Sequence, residues 1–238
     1  MSNFFYIILC FYIILVIVNL FCCFHHIEDI RKVTKVFLMP FLAFTYYLGC
    51  PKVKFSKIIL LALVFGCLGD IFLNIRNLFV FGVASFLIGH LLYIFLFFGE
   101  TGFKNIKKNI FVFIGVCIVY LYAENKVLLY FRPALIKAGL WGHLIVYTSI
   151  IATLNVSSAI YAYCYRNIYS FLTYIGSLVF FISDVVLAQQ LFIENKKHYQ
   201  IIITTTYILG QSLISLGMAN KKNSDKLDII KNDIKKMI

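Results

Sequence analysis

Long apolar runs recur along the whole chain and are separated by short charged segments. The first of them is FFYIILCFYIILVIVNLFCCF, at residues 4–24. An apolar run of roughly 18 residues or more is long enough to cross a bilayer as a helix. With 62% hydrophobic and 13% charged residues, the chain is also far more apolar than a soluble domain. The pattern predicts an all-α, polytopic membrane protein.

Breaks at the charge clusters predict an eight-transmembrane-helix bundle. It forms a single transmembrane domain over residues 1–220, followed by a basic C-terminal tail over 221–238. The predicted spans are 4–24, 33–49, 56–75, 78–98, 109–123, 139–163, 169–191 and 199–218. The fifth span is short, and residues 127–138 are either an interfacial helix or part of the sixth span. The first run has no basic residues before it and no small-residue cleavage site after it, so we interpret it as a span, not a signal peptide.

The net charge of +12 is distributed as in membrane loops, because the basic residues lie between apolar runs and in the tail. We therefore expect no nucleic-acid partner. An even number of spans puts both termini on one side, which carries 13 lysines and arginines against nine on the other. This excess predicts cytoplasmic termini. In a eukaryote we expect the endoplasmic reticulum or another endomembrane, and a homo-oligomer is compatible with the sequence.

The seven cysteines form no CxxC pair, so the sequence predicts neither a zinc site nor a redox motif. Most of them fall inside predicted spans, where cysteine behaves as a small apolar residue. We expect no metal and no organic cofactor.

Two aspartates interrupt the apolar spans, Asp70 in FGCLGDIFLN and Asp184 in FFISDVVLAQ. Their spans, the third and the seventh, run in the same direction, so both carboxyls lie roughly 10 Å inside the same membrane surface. Intramembrane carboxyl groups face a cavity or a partner, because a charge in lipid is costly. A protonated carboxyl can act as a general acid, while an ionised neighbour stabilises a cation or orients water. Asp70 and Asp184 are the predicted catalytic residues; the alternative is a purely structural role in helix packing.

Other polar side chains within the spans are candidates for binding a substrate. Gly66, Asp70 and Asn74 share one helix face through their i, i+4 spacing. The alternative for most candidates is a simple interhelical hydrogen bond, and for a lysine a side chain that extends to the membrane surface. For His143 such a packing role is favoured. The substrate-binding candidates are Lys35, Asn74, His90, Tyr93, Tyr147, Ser183, Tyr207 and Gln211.

The two aspartate helices have a weak internal similarity. Asp70 precedes Tyr93 by 23 residues, and Asp184 precedes Tyr207 by the same spacing. A duplicated four-helix unit with both halves in one orientation would produce this spacing. Chance similarity between apolar helices is the favoured explanation.

Several segments, in this order, resemble the lysoplasmalogenase, or YhhN-like, family of multi-spanning membrane proteins. The GD helix followed by GHLLY and the G-x3-F-x2-SD-x2-LA helix are the most specific of them. The resembling segments are TKVFLMP at 34–40, GCLGDIFLN at 66–74, FGVASFLIGHLLYIFLF at 81–97, YTSIIATL at 147–154, GSLVFFISDVVLA at 176–188 and TTYILGQSLISLG at 205–217.

The resemblance implies hydrolysis of the vinyl ether bond of a lysoplasmalogen. The reactants are then a lysophospholipid held within the membrane and water, and the products are a fatty aldehyde and glycerophosphoethanolamine or glycerophosphocholine. Asp70 and Asp184 occupy the acidic positions of the family. Such a bond opens when an acid protonates its outer alkene carbon, which gives an oxocarbenium ion that a carboxylate can stabilise. Which aspartate has which role stays open.

Two other functions use intramembrane acidic residues. Intramembrane aspartyl proteases carry YD, then GxGD, then a PAL tripeptide; here 67–70 is CLGD, the SD follows it, and PAL at 133–135 lies between the two aspartates. These departures argue against a protease. A transporter or lipid-binding membrane protein that uses Asp and His as polar sites remains the alternative.

Overall fold

The computed structural model describes residues 3–50, 56–75 and 77–237, with side-chain positions up to residue 220. All secondary structure elements within these residues are helices. They are α1 (Asn3–Phe24), α2 (Glu28–Gly49), α3 (Lys57–Asn74), α4 (Phe79–Thr101), α5 (Phe103–Lys108), α6 (Ile110–Lys137), α7 (Trp141–Tyr165), α8 (Ile168–Phe192) and α9 (Lys197–Met237).

Eight of these helices are long, and each predicted span falls on one of them. Seven are long and apolar enough to cross a membrane. The eighth, α2, is as long as α1 but begins with the charged sequence EDIRK and carries Lys35 in its third turn. The prediction of an all-α, polytopic membrane bundle is confirmed.

The region after the fifth span differs from both interpretations of the sequence. Residues 127–137 are neither an interfacial helix nor part of the next span, because α6 continues without a break through Lys137. The apolar residues Val127, Leu128, Phe131 and Leu135 recur at helical spacing and pack against α7 and α8. Polar residues at 124–126 mark a drop in hydropathy, but they do not end the helix.

Smaller differences occur at other boundaries. A short helix, α5, fills the predicted loop after α4 and follows Gly102, whose φ of 72° suits glycine. Helix α9 continues past the predicted start of the tail to Met237. The side chains of the tail lie outside the described residues, as do Lys52, Lys54 and Arg76 of the charge count.

The tightest contact in the bundle is between α8 and α9, where glycines let the two backbones meet. A Cβ atom on Gly176 would lie 2.8 Å from the carbonyl oxygen of Gly210, and a Cβ on Gly210 would lie 2.9 Å from that of Gly176. Close approach through small residues is how helices associate in lipid, where no hydrophobic force drives them together. This contact fixes α9, which carries Tyr207, against α8, which carries Asp184.

Gly176→Ala and Gly210→Ala are each expected to destabilise the bundle by about 1–3 kcal/mol, because the added methyl group meets backbone atoms that cannot move aside. Thermal unfolding of the purified protein in detergent measures the loss. The matched control is Gly115→Ala on α6, where a Cβ would extend into open space, with no neighbouring side chain or helix within 4 Å. Equal unfolding temperatures for all three variants would contradict the close α8–α9 contact.

Candidate active site

Asp70 lies in a buried cluster made by three helices. Its carboxyl group is 1% exposed, and its Oδ1 is 3.0 Å from the Lys35 Nζ of α2. The same Nζ lies 5.7 Å from the ring centroid of Tyr207 on α9. The Tyr207 hydroxyl interacts electrostatically with Asp70 and lies only 3.1 Å from where a Cβ of Gly66 would be. Glycine at position 66 therefore makes room for the tyrosine beside the ion pair.

Asp184 lies in a second cluster, with partners from two other helices. Its Oδ2 is 3.2 Å from Nε2 of His90 on α4. The Tyr147 hydroxyl of α7 is 3.5 Å from the same nitrogen and also interacts with the Asp184 carboxyl. The other ring nitrogen, Nδ1, is buried and makes no hydrogen bond within the described part of the chain. The Asp184 carboxyl and the His90 imidazole are thus arranged to share a proton.

Aromatic rings lie between the two clusters. The Tyr207 ring is 6.0 Å from that of Phe86 and 5.6 Å from that of Phe180, centroid to centroid. The Phe180 ring in turn meets the His90 imidazole edge-on at 4.9 Å. Each aspartate therefore has its own set of polar partners. The packed rings of Tyr207 and Phe180 connect the two sets.

An apolar cavity opens beside Asp184. Its volume is about 110 Å³, which is below the range of roughly 300–1,000 Å³ that is usual for ligand pockets, so it can hold only part of a lipid-sized ligand. Asp184 and Tyr147 lie at its inner end, and Phe79 and Phe192, at the ends of α4 and α8, lie towards the membrane surface. Asp184 precedes Phe192 by eight residues, which places the carboxyl about 12 Å inside that surface.

Asp70 and its partners do not line this cavity in the described structure, whereas Asp184 and Tyr147 of the second cluster do. Nearly all other lining side chains are aliphatic or aromatic, supplied by α3, α4, α6, α7 and α8. The exception is His143, near the start of α7. A hydrocarbon chain is the ligand that such walls fit, and the polar end of the cavity is where chemistry can occur.

The remaining predicted binding residues lie elsewhere. The Tyr93 hydroxyl donates a hydrogen bond to Oε1 of Gln211 at 2.6 Å, which joins α4 to α9 inside the core. The Ser183 hydroxyl donates to the backbone carbonyl of Ile203 at 3.0 Å. Asn74 is exposed as the last residue of α3. None of the four is among the described cavity-lining residues.

One polar contact between helices involves a residue that the sequence does not single out. The Ser149 hydroxyl donates to Glu124 Oε1 at 2.7 Å, and the Thr148 hydroxyl donates to the same oxygen at 3.2 Å. The polar AENK segment places Glu124 in a loop when the sequence is read by hydropathy alone. Because Glu124 lies inside α6, its hydrogen bonds with Ser149 and Thr148 connect α6 to α7.

The fold and the site together define a polytopic helical membrane protein in which a carboxyl group, paired with an imidazole, lies at the inner end of an apolar cavity. Residues 30–218 match the model of the YhhN family. The chain belongs to the YhhN family, and the resemblance seen in its motifs is confirmed.

A curated relative matches the chain at low sequence identity. The lysoplasmalogenase homolog of Dictyostelium discoideum is 27% identical over 190 residues, which cover 72% of this chain and 59% of the relative. The chain thus spans less than two thirds of that relative's length. No solved structure matches the chain at a significant level.

Proposed function

We propose that this protein is a lysoplasmalogenase, an ether hydrolase that cleaves the vinyl ether bond of 1-alkenyl lysophospholipids. Membership of the YhhN family and the similarity to a lysoplasmalogenase homolog support this class of activity. The observation that carries the proposal is the position of Asp184, which is paired with His90, at the inner end of an apolar cavity. A substrate whose reacting bond adjoins a long hydrocarbon chain fits this arrangement.

The reaction begins with proton transfer to carbon. The Asp184–His90 pair gives its proton to the outer alkene carbon, and the alkene electrons form the new C–H bond, so the positive charge is shared by the inner carbon and the ether oxygen. The carboxylate that remains lies close to this oxocarbenium ion and stabilises it, as carboxylates do in glycoside hydrolysis. Water then adds to the inner carbon and returns one proton to the pair.

The resulting hemiacetal collapses to products. Its hydroxyl group loses a proton as the carbonyl forms, and the glycerol oxygen gains a proton as the C–O bond breaks. The sum is one water consumed, one fatty aldehyde and one glycerol hydroxyl released. Tyr147, which faces both Asp184 and His90, is placed to orient the water or the proton-bearing nitrogen.

Asp70 has a different role in this proposal, because Lys35 pairs with it and aromatic rings separate it from the cavity. The ion pair holds Tyr207, Tyr207 packs on Phe180, and Phe180 packs on the imidazole of His90. Asp70 is therefore a positioning residue that acts through this chain of contacts.

The test is an assay of the purified protein in detergent with a 1-alkenyl lysophospholipid. Expected is saturable release of fatty aldehyde in equal amounts with the glycerophosphodiester. The matched 1-alkyl lysophospholipid should release nothing, because its saturated ether cannot accept a proton at carbon to form an oxocarbenium ion. A well-folded protein that binds both lipids saturably and cleaves neither would support the transporter or lipid-binding alternative instead.

A further inference from the structure

A basic side chain, His143, lines the apolar cavity near its outer end, and a second, Arg132, lies over the ring of Trp141 at the start of the same helix. His143 lines the cavity and precedes Tyr147 by four residues on α7, so both share one helix face. One helical turn, about 5.4 Å, separates them along the axis. The α7 face thus leads from His143 near the surface to Tyr147 beside Asp184.

Arg132 approaches the start of α7 from the side of α6. Its guanidinium carbon lies 5.9 Å from the ring centroid of Trp141, the first residue of α7 and the chain's single tryptophan. Leu135, three residues further along α6, lines the cavity. Tryptophan is enriched at the level of the lipid headgroups, so this contact places the Arg132 guanidinium at that level.

The charge of Arg132 is available to a ligand. No carboxylate in the described part of the chain forms an ion pair with Arg132 or His143, whereas Lys35 is already paired with Asp70. Arginine binds phosphate oxygens through paired N–H donors and is the side chain best suited to this contact. The cavity walls beneath are apolar, so a phosphate group would lose its hydration anywhere deeper.

We propose that Arg132 and His143 form a phosphate-binding subsite that recognises the phosphodiester of the lysophospholipid substrate. This inference rests on the proposed function of the Asp184 site. A substrate bound there has its vinyl ether beside Asp184 and its glycerol unit alongside Tyr147. The phosphodiester then lies at the rim, one turn of α7 nearer the surface, and the hydrocarbon chain leaves the vinyl ether on the side opposite to the glycerol.

Arg132→Met and His143→Ala are tested on two substrates, a 1-alkenyl lysophospholipid and the 1-alkenylglycerol that lacks the phosphate. Because charge-assisted contacts to phosphate are lost, kcat/KM for the phospholipid should fall about ten-fold or more, mainly through KM. The fall for the neutral substrate should be several-fold smaller. Equal losses on both substrates would overturn the subsite, because they would indicate a structural role.

The matched control is Arg166→Met. Arg166 also lies over an aromatic ring, 4.6 Å from that of Tyr163, but it follows the far end of α7. This variant should leave kcat/KM for both substrates unchanged. A phospholipid-specific loss in Arg166→Met as large as that in Arg132→Met would overturn the assignment to the rim.

A binding measurement separates this inference from the proposed reaction. A radiolabelled 1-alkyl lysophospholipid, which is not cleaved, should bind the wild-type protein about ten-fold more tightly than either rim variant. If wild type binds this lipid, the variants bind it more weakly and no protein releases aldehyde, the subsite stands and the hydrolase proposal fails. If wild type hydrolyses the substrate and all three proteins bind the lipid equally, the subsite fails and the hydrolase stands.

Discussion

Asp184→Asn is expected to reduce aldehyde release about 10²–10⁴-fold, the range attributed to a positioned general acid. Asparagine keeps the shape of the side chain and can still hydrogen-bond the His90 imidazole, which lies 3.2 Å from the present carboxylate. It cannot give up a proton to carbon, and it carries no negative charge to stabilise the oxocarbenium ion. The fall should therefore appear in kcat, with a smaller change in KM, when aldehyde is followed in a coupled assay.

The control for this variant is Asp29→Asn. Asp29 is exposed in the first turn of α2, a helix that does not line the Asp184 cavity in the described structure. Its turnover should match wild type. The thermal unfolding temperature of Asp184→Asn should also stay close to that of wild type, since no packed atoms are lost. Turnover of Asp184→Asn within a few-fold of wild type would remove Asp184 from the chemistry.

Sequence alone singles out the polar residues of the site, because a charged side chain in an apolar helix is conspicuous. The sequence alone does not show which of these residues contact each other. The equal spacings relate Asp70 to Tyr93 and Asp184 to Tyr207 along the chain, but they predict no contact within either pair. In the structure Tyr207 faces Asp70, His90 contacts Asp184, and Tyr93 bonds elsewhere.

These contacts between distant parts of the chain follow from how the helices are arranged. Asp70 on α3 takes its partners from α2 and α9, and Asp184 on α8 takes its partners from α7 and α4. Each carboxyl therefore has one partner on the helix that precedes its own and one on the last helix of the other group of four long helices, where the first group ends with α4 and the second with α9. Spacing along the chain carries no information about such contacts, which depend on how the two halves pack. A duplicated four-helix unit stays a hypothesis.

The cavity was beyond prediction for a related reason. Five helices line it, and one of them contributes Leu135 from the C-terminal part of α6, which the sequence assigns to an interfacial helix or to the next span. A drop in hydropathy reports the end of a lipid-facing surface, whereas a helix ends only where its backbone bonding stops. Phe131 and Leu135 show the helical spacing that continues α6. The helical period is present in the sequence, but the charges around it conceal it.

Lys35→Met and Asp70→Asn are each expected to destabilise the protein by about 3–5 kcal/mol, since either change leaves a buried charge without its partner. The Asp70 carboxyl is 1% exposed and the Lys35 side chain 14% exposed, so water cannot replace the lost partner, and lipid does so even less. The double variant Lys35→Met/Asp70→Leu removes both charges and should recover most of the stability, because apolar side chains of similar size can replace a buried ion pair. Thermal unfolding in detergent of wild type, Lys35→Met, Asp70→Leu and the double variant gives the coupling free energy, because the cycle needs the same substitution at position 70 in the single and double variants.

Aldehyde release by the same double variant decides what Asp70 does. If Asp70 acts only by neutralising Lys35, and so keeps Tyr207, Phe180 and the His90 imidazole packed, then a folded double variant should regain a measurable part of the turnover that Asp70→Asn loses. If Asp70 is itself a reacting group, the double variant should be folded and as inactive as Asp184→Asn. Near-additive stability losses in the double variant would show instead that Lys35 and Asp70 are not coupled, and would contradict the 3.0 Å ion pair on which the positioning role rests. The comparison therefore separates electrostatic support of the fold from chemistry at the second carboxyl group, which the spacing of the two aspartates in the sequence could not do.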